Sequence, residues 1–139
     1  MATGKTILVL EDDADEAFLL SRALQYAGAD CHAEFVRDGF EAINYLQHKP
    51  PFANKDIFPI PTLAIVDIDL PGLNGLQFLR WVRSHPELSG IPVIILTNAP
   101  PEKDQAIAEK LGASAFFRKP ANTDALYALV KKIEGQWLR

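Results

Sequence analysis

Ile7-Leu8-Val9-Leu10-Glu11-Asp12-Asp13-Ala14-Asp15-Glu16 is the stretch on which the fold turns. It opens with four consecutive aliphatic residues, the pattern of a strand buried on both faces rather than of one with a wet side. It then becomes acidic, and Asp13 with Glu16 is spaced like an N-cap residue and its N3 partner at the head of a helix. Ala17, Leu20, Leu24 and Ala27 give that helix an apolar stripe, and Gly28 supplies its stop. A buried strand that runs directly into a capped helix is a β-α unit.

The same grammar continues along the chain. Leu63-Ala64-Ile65-Val66 and Val93-Ile94-Ile95-Leu96 are aliphatic runs like the first, and Ala33 to Val36 and Ala115 to Phe117 are shorter ones, as expected nearer a sheet edge. Asp38 with Glu41 and Asn74 with Gln77 repeat the helix-start spacing. Leu76, Leu79 and Val82 mark the third helix, and Ile107 and Leu111 mark the fourth, which ends at Gly112. Leu126, Leu129, Val130 and Ile133 recur at i, i+3, i+4 and i+7, with Lys131, Lys132 and Glu134 opposite. Five β-α repeats predict an α/β fold with a parallel sheet covered by helices on both faces. A doubly wound sheet of this kind collects its functional groups at the C-terminal ends of its strands.

The 139 residues suit one domain spanning residues 1–139, which leaves no segment for an output domain. Fourteen basic side chains against eighteen acidic ones give a net charge of −4, which argues against nucleic acid or an anionic membrane as partner. A lone Cys31 closes no disulfide within the chain. No apolar run is long enough to span a bilayer and no secretion signal opens the chain, so the expected location is cytoplasmic. Residues 50–61 carry Pro50, Pro51, Pro59 and Pro61. That is long for a connection and reads as a stiffened surface loop, with partner docking as the alternative. Trp137 and Leu138 near the end suit packing on the domain or on a second copy. Phe78 and Trp81 read as packing residues.

Just past the strands stand the residues with chemistry. Glu11-Asp12-Asp13 follow the first, Asp67-Ile68-Asp69-Leu70-Pro71-Gly72 the third, Thr97 ends the fourth, and Lys119-Pro120 follow the fifth. Each alone has a plain explanation: acids before a helix are usually caps, a threonine ending a strand is usually a turn residue, and Lys-Pro is a common strand exit. Together, with strand order 2-1-3-4-5, they converge on one pocket. Clustered carboxylates repel unless a cation joins them, and oxygen-only ligands favour a hard ion, foremost Mg²⁺.

With Glu11-Asp12, Asp67 with Pro71 and Gly75, Thr97, and Phe116 before Lys119-Pro120 in this order, the chain resembles the receiver domain of two-component response regulators from about residue 5 to 135. The long proline-rich loop makes it most similar to stand-alone regulators associated with bacterial phytochromes. The resemblance implies a flavodoxin-like (βα)5 fold and an aspartyl-phosphate switch charged by a sensor histidine kinase, a phytochrome among the candidates. It implies Asp67 as phosphoacceptor, with Thr97 and Lys119 on the phosphoryl oxygens. Asp12, Asp67, the Asp69 backbone carbonyl and, through water, Glu11 would hold Mg²⁺. Thr97 and Phe116 would form the switch, and output would pass to a downstream protein target, with homodimerisation through the last two helices as one form. Such a protein is not an enzyme beyond its own phosphorylation and slow dephosphorylation. Three positions depart from the commoner pattern: Glu11 stands for aspartate, Asn98 for a small residue and Phe116 for tyrosine.

Other readings fare less well. A haloacid-dehalogenase-type phosphatase shares Asp67-Ile68-Asp69, but it needs its metal-binding acids after the lysine, whereas Glu11-Asp12 come first. A flavin carrier on this fold must cradle a phosphate after the first strand, where Glu11-Asp12-Asp13 would repel it. A receiver used as a scaffold without phosphorylation would have no need of the full set of site groups.

Overall fold

In a parallel sheet the first strand must have helices on either side, and the alternation of β1 (Lys5–Leu10) shows how this is met. Leu8 and Leu10 face one core layer, and Ile7 and Val9 face the other. The structure is a computed structural model that describes residues 5–28 and 30–138; the first four and the last residue of the expected domain lie outside the described residues. After β1 come α1 (Ala14–Tyr26), β2 (Cys31–Val36), α2 (Gly39–Leu46), β3 (Leu63–Val66) and α3 (Gly75–Arg83). Then follow β4 (Val93–Thr97), α4 (Pro101–Lys110), β5 (Ala115–Arg118), α5 (Thr123–Ile133) and a π-helical turn over Glu134–Leu138. The five strands are all parallel, in the order β2-β1-β3-β4-β5.

One core layer joins Leu8, Leu10, Val66 and Ile95 to Tyr45 of α2, Phe78 and Leu79 of α3 and Ala108 of α4. The other joins Ile7, Val9, Ile65 and Ile94 to Leu20 and Leu24 of α1 and Val130 and Ile133 of α5. Burial of these aliphatic surfaces is the main favourable contribution to folding. The expected α4 stripe needs correction. Asp104, Ala108 and Leu111 share its inner face at i, i+4 and i+7, so Ile107 is turned outward and is half exposed.

The helix starts are capped as the spacing predicts. The side chains of Asp13, Asp38 and Asn74 accept backbone N–H groups from the first turns of α1, α2 and α3. Only Asn74 and Gln77 close a reciprocal box, at 2.9 Å in each direction. Glu41 turns back to the Arg37 N–H instead, and Glu16 turns into the site described below. Gly28, at φ 72°, takes the left-handed conformation that ends α1.

The proline-rich segment is docked rather than free. Phe52 is buried and Phe58 half-buried, and their rings meet the enclosed ring of Tyr45 tilted and edge-on, at centroid distances of 5.2 and 5.8 Å. The Tyr45 hydroxyl donates to the Pro59 carbonyl at 2.8 Å, and burial pushes its phenol pKa up to about 12, so it stays a donor at all ordinary pH. The chain end also folds back. Leu138 is buried and Trp137 half-buried against the α1–α5 layer, and the Lys5 ammonium donates to the Leu138 carbonyl. These two residues pack on the domain, so they give no motive for a second copy. No described helix is long and apolar enough to cross a membrane.

Gly75 is the tightest point of the architecture. A Cβ there would lie 2.1 Å from the Asp67 carbonyl oxygen and 2.8 Å from Val66 Cγ1. The first turn of α3 therefore presses on the end of β3 as only glycine permits. Replacing Gly75 by Ala must push backbone against backbone, and about 3 kcal/mol of stability should be lost. Denaturant unfolding of Gly75→Ala measures it; a change below 0.5 kcal/mol (about the size of a neutral surface substitution) would contradict the close approach.

Candidate functional site

The sheet does not stop at its assigned strand ends. The Glu11 N–H donates to Val36 O at 2.9 Å, the Asp67 N–H to Leu10 O at 3.1 Å and the Lys119 N–H to Thr97 O at 2.8 Å. Each functional residue is thus the first one past its strand, still held by a ladder bond, and the parallel register brings the side chains to a common edge. Sequence spacing predicts this edge, and the structure brings Glu11, Asp67 and Lys119 together there.

Lys119 is the centre. Its Nζ donates to Glu11 Oε1 at 2.6 Å, to Asp67 Oδ2 at 2.8 Å and to Glu16 Oε1. The lysine side chain is 12% exposed, against 5% for Glu11, 8% for Asp67 and 34% for Glu16. Burial on its own would pull the Lys119 pKa down, but the hydrogen bonds to Asp67, Glu11 and Glu16 outweigh it and hold it above its ordinary value. Burial raises the Glu11 carboxyl, and only in part do the hydrogen bond and charge of Lys119 counter it. The Asp67 Oδ1 accepts the Asp69 N–H at 3.2 Å, so the loop after β3 orients the carboxylate. Glu11 Oε2 accepts the Asp13 N–H at 3.2 Å, which ties the acid to the head of α1.

The remaining predicted residues fall around this centre. Thr97 is fully buried, and its Oγ1 accepts the Ala99 N–H at 3.3 Å. Phe116, on β5, is half-buried and rests on the α2–α3–α4 core layer. Asp12 and Asp69 lie in the flanking loops with exposed side chains. Asp12, expected as a direct metal ligand, has no part in the Lys119 cluster; the described acids whose oxygens lie within 4.8 Å of one another are Glu11, Glu16 and Asp67. An all-oxygen set of this kind fits a hard metal ion.

Glu16 was not anticipated as a site residue. Its spacing from Asp13 makes it look like a capping partner, and Asp13 does accept its N–H at 3.0 Å, but the side chain goes to Lys119. The available signal was its place in the first turn of the helix that starts directly beside the strand ends. Asn98, which stands where a small residue is commoner, donates to Glu16 Oε1 at 3.3 Å. A cleft of about 760 Å³ opens beside the cluster, lined by Glu16, Leu19, Asn98, Lys119 and Pro120 among others.

A parallel sheet of order 2-1-3-4-5 with aspartate, lysine, threonine and a further acid at its C-terminal edge is the flavodoxin-like architecture of receiver domains. The chain belongs to the response regulator receiver domain family, whose sequence model matches residues 7–131. It is similar to response regulator Rcp1 of Synechocystis, 31% identical over 134 residues that span 96% of this chain and 89% of that protein. The crystal structure of the phosphorylated cyanobacterial phytochrome response regulator RcpA superposes with a TM-score of 0.89 at 32% identity, covering 98% of this chain and 95% of that one. The Mn²⁺-bound form of Rcp1 gives 0.86 at 30% identity, covering 97% and 95%. The chain is therefore a response regulator, a signalling protein of two-component systems.

Lys119 offsets the repulsion of three buried or half-buried acids. In Lys119→Met, without metal, Glu11 loses the partner that lowers its pKa and so rises further. A carboxyl whose folded pKa exceeds its unfolded value favours the fold below the unfolded pKa and loses that advantage as pH rises through the folded one. Lys119→Met should thus be about 3 kcal/mol less stable than wild type at pH 7, with the deficit shrinking toward pH 4.5, the ordinary Glu value. Paired denaturation curves at the two pH values test it; a deficit that does not vary with pH would refute the charge argument.

Proposed function

We propose that Asp67 accepts a phosphoryl group from a phosphohistidine of a sensor kinase, in a site that holds Mg²⁺. The observation that carries the reading is the Asp67–Lys119 contact of 2.8 Å at the strand ends, in a chain of the receiver family. An Asp67 carboxylate oxygen attacks phosphorus, the phosphorus–nitrogen bond of the donor breaks, and the imidazole leaves with the bonding pair. Lys119, already beside the nucleophile, moves its charge onto the incoming phosphoryl oxygens. Asp12, Asp67 and the Asp69 carbonyl would hold the ion directly, with Glu11 through water. Bound there, Mg²⁺ would supply positive charge to the transferring phosphoryl group.

The buried Thr97 hydroxyl would leave the Ala99 N–H to donate to a phosphoryl oxygen. The half-buried Phe116 would then turn into the space that Thr97 vacates, changing the surface of α4, β5 and α5. Output would pass through protein contact at that changed surface, with the protein in the cytoplasm. A bacterial phytochrome is the favoured kinase, because similarity to phytochrome response regulators spans nearly the whole chain.

Acetyl phosphate with Mg²⁺ should add a single phosphoryl group by intact mass and none to Asp67→Asn. Omitting Mg²⁺, or introducing Asp12→Ala, should slow the labelling at least tenfold, the scale on which loss of one metal-held charge acts. Undiminished labelling of Asp67→Asn would overturn the assignment.

A further inference from the structure

Glu16 is the outermost of the three acids on Lys119, with its side chain 34% exposed. It is fixed from below, since its N–H is capped by Asp13 at 3.0 Å. Its Oε1 accepts from both the Lys119 ammonium and the Asn98 amide, the latter at 3.3 Å. One carboxylate on α1 thereby ties together the residues that follow β4 and β5. Two buried acids and Glu16 around one ammonium leave the cluster with a net charge of −2. A phosphoryl group on Asp67 carries a charge of about −1.5 to −2 in place of the single charge of the carboxylate, so the negative charge on the same ammonium grows. Lys119 has three protons to donate, and in this state all of them have carboxylate acceptors. Phosphoryl oxygens gain Lys119 only when an acceptor is given up. Asp67 itself becomes the acyl phosphate and Glu11 is the more deeply enclosed, so Glu16 is the acid free to withdraw.

Resting on the reading of Asp67 as phosphoacceptor, we propose that Glu16 is a carboxylate latch. It holds Lys119 and Asn98 in the unphosphorylated state, and its release of both sets how readily the site accepts a phosphoryl group. Glu16 is a positioning residue, acting through Lys119. No bond is made or broken at Glu16; only its hydrogen bonds change partner. An amide in its place can still accept from Lys119 and Asn98, so Glu16→Gln removes the charge while keeping the shape.

Glu16→Gln should raise the second-order rate constant for labelling by acetyl phosphate about fivefold at low salt, as expected for removing one like charge from a half-exposed site. That gain should fall toward twofold or less at 0.5 M salt, where the Debye length is only a few ångströms. A purely structural role for Glu16 would give no such salt dependence. The second measurement is inorganic phosphate binding followed by the Lys119 Nζ resonance, which should tighten several-fold in Glu16→Gln. If wild type takes no label from acetyl phosphate, the Asp67 reading fails and the latch stands or falls on phosphate binding alone. Wild-type labelling with an unchanged or slower Glu16→Gln rate, a gain that salt leaves intact, or equal phosphate affinities would each overturn the latch.

Discussion

Three carboxylates around one ammonium is the constraint on which the rest of this structure depends. Lys119 reaches Glu11 at 2.6 Å and Asp67 at 2.8 Å, and Glu16 completes the set. Buried acids this close repel, and their desolvation is offset only while a cation stays among them. The cluster carries a net charge of −2, two positive charges too few for neutrality, and phosphorylation would make the shortfall larger. A chain optimised for stability alone would not keep it. On the proposed function, it is a store of negative charge that a metal ion and a phosphoryl group would redistribute.

The fold supplies what that arrangement costs. Two aliphatic layers on opposite faces of the sheet anchor the strands, and ladder bonds from Glu11, Asp67 and Lys119 carry the register one residue further, into the site. The contact of α3 on the Asp67 carbonyl at Gly75 fixes the Asp67 backbone from behind. Thr97 and Phe116 sit on the adjacent strands β4 and β5, with Phe116 resting on the core layer under α4.

Much of this was legible before any coordinates. Aliphatic runs bounded by acids, Thr97 and Lys119 located all five strands to within two residues, because burial on both faces leaves little freedom in composition. The strand order then placed Glu11, Asp67 and Lys119 at one edge. Less was legible where a side chain had two plausible partners. Glu16 has the spacing of a cap residue and goes instead to Lys119, a choice made by a partner more than 100 residues away. Ile107 was assigned inward on hydrophobicity, but Ala108 allows α4 closer approach and wins the inner face. The docking of residues 50–61 depends on Tyr45, Phe52 and Phe58 meeting in space, which no periodicity records.

The most direct test of this account is a crystal structure of the chain with Mg²⁺ and beryllofluoride, which stands in for a phosphoryl group. The account predicts beryllium on an Asp67 carboxylate oxygen, Lys119 Nζ within hydrogen-bond distance of a fluorine, Thr97 turned toward a second fluorine, and Glu16 no longer bonded to Lys119. Beryllofluoride bound away from Asp67, or Lys119 still held by Glu16 and remote from the fluorines, would contradict it.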